Sequence, residues 1–375
     1  MPIDSLSDLL KYIAYDRTDL NISEISANTI DFSIAAGVGP YLKYCSSDSS
    51  YIVDKDKLDT LLSSELTAKV ITQSMLTSLN DIFTHSDECS TKIILLKGIA
   101  IGQQYYPKPW LRIMSDIDLL ISKKDIPEFE GTLTKLGYKQ ISHNPSEFYH
   151  KHHHEMPFYN KDKNIWIEVH THLFSDTSKS KLDEFFSLEN INNNTIGILG
   201  YANSIRQLSP EMQLIYTCVH WAEDYNTYKG CIQFIDVINL IKNNGNGLRW
   251  NKICDYIHNT ASASSVYLII SYLEKCNALP LGKSPINKSL LKYNNMFILN
   301  KYILHTIIDT YLIGGNDYNK VFNENNIKII WKTLLRPKNS FNNILTIPIN
   351  ILFPMESKKR FSVKFLLNRI STLFK

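Results

Sequence analysis

Residues 115–122 read SDIDLLIS, and this short stretch places two carboxylates inside an otherwise apolar run. The spacing predicts a buried strand on which Asp116 and Asp118 point to the same face, because side chains alternate along a strand. Two like charges about 7 Å apart repel each other, and an unpaired carboxylate on a half-buried surface costs several kcal/mol. The pair must therefore find cations, hydrogen-bond donors or a proton, and a divalent metal ion is the simplest solution.

The segments around this strand predict a small mixed sheet. The sequence IILLKG (93–98) is typical of a short apolar strand, and the residues after it (99–107) are typical of a helix that a proline closes. The sequences EMPFYN (155–160) and NIWIEVHTH (164–172) flank the polar turn KDKN, which is the pattern of a β-hairpin. These elements define an α/β unit over about residues 90–175.

Apolar residues recur at helical spacing both before and after this unit. The predicted fold class is therefore α/β, of the α+β kind, with a small mixed sheet carrying the core and helical regions on either side. Four parts are predicted, namely an N-terminal helical region, the α/β core, a C-terminal helical domain and a basic amphipathic tail: 1–90, 91–180, 181–335 and 336–375.

Composition excludes several classes of protein. A hydrophobic content of 44% with 21% charged residues is typical of a folded protein and excludes wholesale disorder. The six cysteines are scattered without CxxC spacing, which indicates neither a disulfide framework nor a zinc ribbon. The chain starts without the pattern of a secretory signal, and its apolar runs fall short of the roughly 20 residues that span a bilayer. We therefore expect a cytoplasmic protein.

Charge is distributed unevenly along the chain. The formal net charge is +3, but basic residues are concentrated in the last 21 residues, so the rest of the chain is slightly acidic. A slightly acidic body disfavours long nucleic acids as partners. The tail segment FSVKFLLNRISTLF (361–374) has apolar residues at helical spacing beside basic ones. It is expected either to dock on the protein or to make peripheral contact with an anionic membrane surface.

A third acidic residue extends the carboxylate pair. Glu168 in IWIEVH lies, like Asp118, between large apolar residues of a predicted strand. Three acids that converge at one end of a sheet would form an oxygen-rich site, which hard cations such as Mg²⁺ or Mn²⁺ prefer. The alternative interpretation is that each acid makes an ordinary salt bridge at a solvated strand end.

This ordered set of motifs resembles the nucleotidyltransferases of the polymerase β superfamily, and more closely the bacterial family of uncharacterised nucleotidyltransferases. A strand ending in Leu-Lys-Gly, an Arg, an Asp-x-Asp strand and a third-acid strand carry the resemblance, which extends more weakly to about residue 280. It implies transfer of a nucleoside monophosphate from an NTP to a hydroxyl or phosphate acceptor, with release of pyrophosphate. The acceptor, whether a small molecule, a protein or a tRNA end, stays open.

The resemblance also assigns roles to individual residues. Asp116 and Asp118 become metal ligands, and Glu168 becomes either a third ligand or the base that deprotonates the acceptor. The residues expected to contact the NTP are Lys97, Gly98 and Arg112. Gly98 would offer backbone N–H groups at a helix start, and the two basic side chains would neutralise phosphate charge.

One departure from the superfamily pattern bears on nucleotide binding. Where that pattern has Gly-Ser or Gly-Gly, this chain has Gly98 followed by Ile99, so the hydroxyl that usually holds the terminal phosphates is absent. A non-catalytic nucleotide-binding module is therefore an alternative function.

Histidines supply a further alternative. Seven of the eleven fall within 30 residues of sequence: His143, His150, His152, His153, His154, His170 and His172. Such crowding is compatible with a zinc-binding protein, although no HExxH spacing is present. Four residues are candidates for the substrate pocket: His154, His170, His220 and Asp236. For His220 and Asp236 a buried hydrogen-bonded pair is the competing interpretation.

Overall fold

The computed structural model of the 375-residue chain describes residues 6–46, 55–87, 91–141, 155–174, 184–223, 230–258, 260, 262–280, 286, 295–309, 327, 330–332 and 334–335. The predicted C-terminal tail (336–375) lies outside the described residues. So do five of the clustered histidines: His143, His150, His152, His153 and His154.

Helices dominate the described part of the chain. We number them in chain order as α1 Leu6–Ala14, α2 Ala27–Ala35, α3 Gly39–Cys45, α4 Lys55–Asp87, α5 Lys97–Tyr105, α6 Ile126–Lys135, α7 Leu188–Asn193, α8 Pro210–Glu223, α9 Gly230–Asn244, α10 Trp250–Ile257, α11 Ser262–Lys275 and α12 Asn295–Ile307. No described helix combines the length and the apolar character that crossing a bilayer requires.

The described strands form one mixed sheet. They are β1 Ile93–Leu95, β2 Asp116–Ile121, β3 Lys139–Gln140, β4 Phe158–Asn160, β5 Ile165–His170, β6 Thr195–Gly197 and β7 Ile205–Leu208. Their order across the sheet is β3-β4-β5-β2-β1-β7-β6. The central strand β2 pairs antiparallel with β1 and parallel with β5, and β4 and β5 form the predicted hairpin. The predicted α+β class is confirmed.

The sheet continues past the segment in which the sequence indicated strands. β7 pairs in parallel with β1, and β6 pairs antiparallel with β7, so two strands follow residue 175 where only helices were expected. Both strands are short, and polar residues such as Thr195 and Arg206 interrupt their apolar pattern. Pairing of β7 with β1 and of β6 with β7, rather than local sequence, stabilises them. The division of the chain into four parts stays a prediction.

Alternation along β2 assigns its side chains to two faces. Ile117, Leu119 and Ile121 are fully buried in an apolar cluster that also contains side chains of β5, α4 and α6. Phe129 and Leu133 of α6 belong to this cluster, and burying each side chain of this size stabilises the fold by about 1.5–3 kcal/mol. The apolar residues of β2 therefore form its buried side, which packs in the core on one face of the sheet.

The opposite face meets the C-terminal helices. Leu120 of β2 and Ile94 of β1 belong to the larger apolar cluster, which includes much of α8, α9 and α11. The carboxylates of Asp116 and Asp118 lie on this face of the sheet. Asp116, the first residue of β2, is only half-buried, so the helices leave this end of the strand partly open. The fold therefore places an acidic patch beside a helical layer.

Gly137 follows the end of α6, the helix that comes after β2. Its φ is +83°, in the left-handed region that glycine adopts without strain. A Cβ here would come 3.4 Å from the side chain of Asn160, so a larger residue would also crowd the hairpin. This turn directs the chain from α6 to β3 at the edge of the sheet.

Candidate active site

Strand register brings the acidic residues together. In the parallel pair of β2 and β5, Asp118 is the direct partner of Glu168, and Leu120 is the partner of His170. Paired residues of adjacent strands point to the same face, and so do residues two apart on one strand. Asp116, Asp118, Glu168 and His170 therefore share one face of the sheet.

The turn from β1 to α5 adds a lysine to this face. The backbone N–H of Leu96 donates to the carbonyl oxygen of Asp118 at 3.0 Å, and this hydrogen bond holds the turn against β2. Lys97, the first residue of α5, has a φ of +46°, a conformation that costs a non-glycine residue about 1–2 kcal/mol. Its ammonium group donates to Oδ1 of Asp118 at 2.7 Å and lies 4.0 Å from Oε2 of Glu168.

His170 completes the cluster from the end of β5. Its Nε2 lies 2.6 Å from Oδ1 of Asp118 and 3.7 Å from Oε2 of Glu168, and its side chain is fully buried. Asp118, Glu168 and His170 form a group whose ligand atoms all lie within 4.8 Å of one another, so these three residues could hold a metal ion. From the sequence, His170 was expected in the substrate pocket and Asp116 among the metal ligands. The i, i+2 spacing of Glu168 and His170 was the signal that could have identified the histidine.

Asp118 is the electrostatic centre of the cluster. Its burial by itself would raise the pKa of the carboxyl, but the Lys97 ammonium and the His170 hydrogen bond together hold that pKa well below its usual range. Burial would likewise lower the pKa of Lys97, yet the charge of Asp118 keeps it above its ordinary value. These shifts favour a carboxylate at Asp118 and an ammonium at Lys97.

Compensation is weaker at the other two carboxyls. Burial, and then the charge of Asp118, raises the pKa of Glu168 to about 7, although Lys97 opposes this rise. The pKa of Asp116 is also raised, first by burial and then by Asp118, against smaller opposing effects of Lys97, Ser115 and Arg112. Lys97 is the cation that acts on all three carboxyls, since the guanidinium of Arg112 binds Asp236. When all three carboxyls are ionised, they and the ammonium of Lys97 together carry two excess negative charges. One bound divalent cation would neutralise these charges.

The donor set is compatible with a divalent metal ion. Carboxylate oxygens suit Mg²⁺ and Mn²⁺, while an imidazole nitrogen is a better ligand for Mn²⁺ and other transition metals than for Mg²⁺. Asp118 and Glu168 supply the oxygens, and His170 supplies the nitrogen. We conclude that a buried Asp-Glu-His cluster here could bind a metal whose identity the geometry leaves open.

Arg112 is engaged by a different carboxylate. Its Nε lies 2.9 Å from Oδ1 of Asp236 on α9, and its Nη2 lies 3.1 Å from Oδ2 of the same residue. Its Nη1 donates to the backbone carbonyl of Ile113. The hydroxyl of Tyr106 also donates to Asp236, at 2.6 Å. Asp236 is 1% exposed, so this is a buried, charge-assisted network that ties the loop before β2 to the C-terminal helices.

The two other nucleotide candidates, Lys97 and Gly98, lie at the start of α5. Gly98 is the second residue of α5 and is buried directly after Lys97. A Cβ at Gly98 would come only 2.8 Å from Cγ of Met114, so the close approach of these segments requires glycine. Ile99, which replaces the usual serine, is 1% exposed and packs in the apolar cluster on the other face of the sheet. Its position is therefore structural.

The pocket candidates are separated in the structure. His170 belongs to the acidic cluster, whereas His154 lies outside the described residues. His220 lies on α8, where its ring centroid is 5.6 Å from that of Tyr216. Tyr216 also contributes to the electrostatic field at Lys97, so this part of α8 lies near the cluster. Asp236 instead binds Arg112 and Tyr106.

Comparison with known proteins gives one match. The model of a family described as uncharacterised nucleotidyltransferase matches residues 27–277, which is more than half of the chain and includes every residue of the cluster. No curated protein and no solved structure matches the chain significantly.

Proposed function

We propose that this chain, which belongs to the uncharacterised nucleotidyltransferase family, transfers a nucleoside monophosphate from an NTP to a hydroxyl or phosphate acceptor and releases pyrophosphate. Family membership indicates nucleotidyltransferase activity in general and an NTP substrate. The finer proposal depends on one observation, the convergence of Asp118, Glu168 and His170 within 4.8 Å on one face of the sheet. We further propose that the family resembles the polymerase β superfamily in its arrangement of acids.

The proposed cofactor is Mg²⁺ or Mn²⁺. Asp118 and His170 would hold it, with Asp116 on the same face of the sheet, and Glu168 would be either a further ligand or the base. When bound, such an ion would activate the acceptor oxygen and neutralise charge on the leaving pyrophosphate.

Glu168 and Lys97 have separate proposed roles. A carboxyl with a pKa of about 7 can accept a proton near neutral pH, so Glu168 is suited to deprotonate the acceptor. Lys97 carries a positive charge at the start of α5, beside the backbone N–H groups of the first helical turn. Charge and helix end together favour the phosphates of the NTP at this position. Phosphate contact by Arg112 stays a prediction, since Asp236 binds its guanidinium.

The acceptor and the cellular location are proposals from the sequence. The slightly acidic body of the chain favours a small molecule, a protein or a tRNA end over a long nucleic acid. We propose a cytoplasmic location, with peripheral membrane contact through the basic tail as an additional feature.

Two measurements test the catalytic proposal together. Isothermal titration of each NTP, with and without Mn²⁺, reports binding, and a coupled assay reports pyrophosphate release. We expect metal-dependent binding of at least one NTP and pyrophosphate release above background. Lys97→Met should reduce the rate by at least tenfold while Mn²⁺ still binds. The matched control is Lys92→Met, just before β1, where the lysine bonds to Asn192 instead. Equal rates in both variants would contradict the role of Lys97.

Two specific observations favour other functions, and the same measurements separate them. The buried Ile99 in place of a serine favours a non-catalytic nucleotide-binding module, for which NTP would bind without pyrophosphate release. The imidazole of His170 favours a zinc-binding protein, for which metal analysis of the purified chain would find tightly held zinc. Either result would replace the proposed reaction.

A further inference from the structure

A cleft of about 640 Å³ opens between α2, α4 and the residues that lead into β2. This volume lies in the range typical of sites for small molecules, roughly 300–1,000 Å³. One wall of the cleft is the N-terminal half of α4, and the opposite wall includes Ile34, Ile113 and Met114. None of the roles assigned above uses this cleft.

The cleft shares a wall with the candidate active site. Met114 lines the cleft and precedes Asp116 by two residues. Met114 also packs directly on Gly98, the residue after Lys97, as the close approach of its Cγ shows. A molecule in the cleft would therefore lie next to the segment that carries Asp116 and near the start of α5.

The lining of the cleft is rich in hydroxyl groups. Successive turns of α4 present Thr60, Ser63, Ser64, Thr67 and Thr72 to it. The hydroxyls of Thr60 and Thr67 donate to backbone carbonyls of their own helix, which leaves their lone pairs available as acceptors. Neither Ser63 nor Ser64 makes a side-chain hydrogen bond to the described residues.

Charge and aromatic content narrow the class of ligand. Asp59 is the charged residue among those lining the described cleft, and no lysine, arginine or aromatic side chain is among them. A phosphate-bearing group would meet no cation among these described lining residues. A nucleobase would find no ring among them to stack on, although stacking on aromatic side chains is a common way to bind a base. The hydroxyl groups on the α4 wall and the apolar side chains of Ile34, Ile113 and Met114 on the opposite wall instead match a ring with polar edges and apolar faces.

We propose that this cleft binds the acceptor, and that the acceptor is an uncharged, hydroxyl-bearing small molecule such as a sugar or a polyol. The proposal rests on the proposed function, because it identifies the substrate class of the same site. One hydroxyl oxygen of the acceptor forms a bond to the α-phosphorus of the NTP, and the bond from that phosphorus to the bridging oxygen breaks. Pyrophosphate leaves, and the hydroxyl proton passes to Glu168.

A pair of threonine variants tests the cleft. Thr67→Leu places a larger apolar side chain in the cleft and removes one of its hydroxyls. Thr77→Leu is the matched control, because Thr77 is also exposed on α4 and its hydroxyl makes the same backbone bond at 2.9 Å, to Gln73. Both changes add one leucine to one helix, so a general effect on folding or solubility would be the same.

Saturation-transfer NMR with D-glucose, D-ribose and myo-inositol measures binding without requiring turnover. We expect at least one of these probes to bind the unmodified chain, to bind Thr77→Leu equally, and to lose at least tenfold in affinity for Thr67→Leu. Absence of binding by all three probes, or equal binding to both variants, would overturn the proposal. So would a tenfold loss of NTP affinity in Thr67→Leu, because the cleft would then hold the nucleoside.

Pyrophosphate release separates this proposal from the proposed function. If a probe binds in the cleft but no NTP is turned over with it, the reaction is wrong and the cleft is still a sugar site. If an NTP is turned over while Thr67→Leu leaves the acceptor KM unchanged, the reaction stands and the cleft is wrong. When both are right, Thr67→Leu raises the KM for the acceptor at least tenfold and leaves the KM for NTP unchanged.

Discussion

Glu168 lies directly opposite Asp118 in the parallel pair of β2 and β5, so two carboxyl groups face each other on one side of the sheet. Lys97 bonds to Asp118 at 2.7 Å but approaches Glu168 only to 4.0 Å. Because the ammonium of Lys97 lies closer to Asp118, it stabilises the ionised form of that carboxyl more than that of Glu168. Asp118 stays ionised, and the pKa of Glu168 rises to about 7.

This difference predicts a pH-dependent stability. Folding raises the pKa of Glu168 from 4.5 to about 7, so the folded protein holds this proton more tightly than the unfolded chain does. The free energy of unfolding should therefore fall as the pH rises through this interval and level off above it. Glu168→Gln removes the effect, and in metal-free buffer the variant should be more stable than the parent by about 1–3 kcal/mol above pH 7.

Urea unfolding between pH 4 and 8.5 measures this difference. Below pH 4.5 the two proteins should have the same free energy of unfolding, since Glu168 is then protonated in both the folded and the unfolded state. Glu128→Gln, at an exposed position on α6, is the matched control. A constant difference across the whole pH range would show that the environment of Glu168 does not disfavour its charge.

Metal binding should depend on Asp118. Replacing Asp118 with Asn removes the central carboxylate of the cluster and should abolish the heat of Mn²⁺ or Mg²⁺ binding in isothermal titration, with the fold intact by circular dichroism. Asp162→Asn, in the exposed turn of the hairpin, should leave the isotherm unchanged. An unaltered isotherm in Asp118→Asn would remove the basis for a metal site in this cluster.

The buried pair of Arg112 and Asp236 should matter for stability. Asp236→Asn leaves the guanidinium buried without its charge partner, which should lower the free energy of unfolding by about 3–5 kcal/mol. Asp19→Asn is the control, because Asp19 forms an exposed bidentate pair with Arg17. Exposed pairs contribute little, so no measurable change is expected there. Similar values for both variants in urea unfolding would contradict the structural role of Asp236.

Adding one methyl group at Gly98 should lower the free energy of unfolding. In Gly98→Ala the new Cβ would meet Met114 at 2.8 Å, and the required shift should cost about 1–2 kcal/mol. Combining it with Met114→Ala should cost less than the sum of the two single changes, because the contact is then absent. The control is Gly131→Ala within α6, where nothing lies within 4 Å and the helix should gain about 0.5–1 kcal/mol. Additive costs in a double-mutant cycle would refute the contact.

Local sequence was sufficient for much of the site. The alternation in SDIDLLIS assigned Asp116 and Asp118 to one face, and the apolar flanks of Glu168 assigned it to a strand, because strand periodicity depends only on neighbouring residues. The hairpin of β4 and β5 and the turn at Gly137 also follow from short-range patterns. The strands β6 and β7 could not be predicted this way, since β7 forms by pairing with β1 and β6 by pairing with β7.

The sequence by itself therefore determined which residues carry charge on one face of the sheet, and that these charges need cations, hydrogen-bond donors or a proton. Only the tertiary structure decided how they are paired. The left-handed turn at Lys97 assigns the lysine to Asp118, and the network around Asp236 holds Arg112. The parallel register brings His170 into the cluster. These pairings join residues 21 to 124 positions apart, and such contacts depend on how strands and helices pack rather than on the local pattern of either partner.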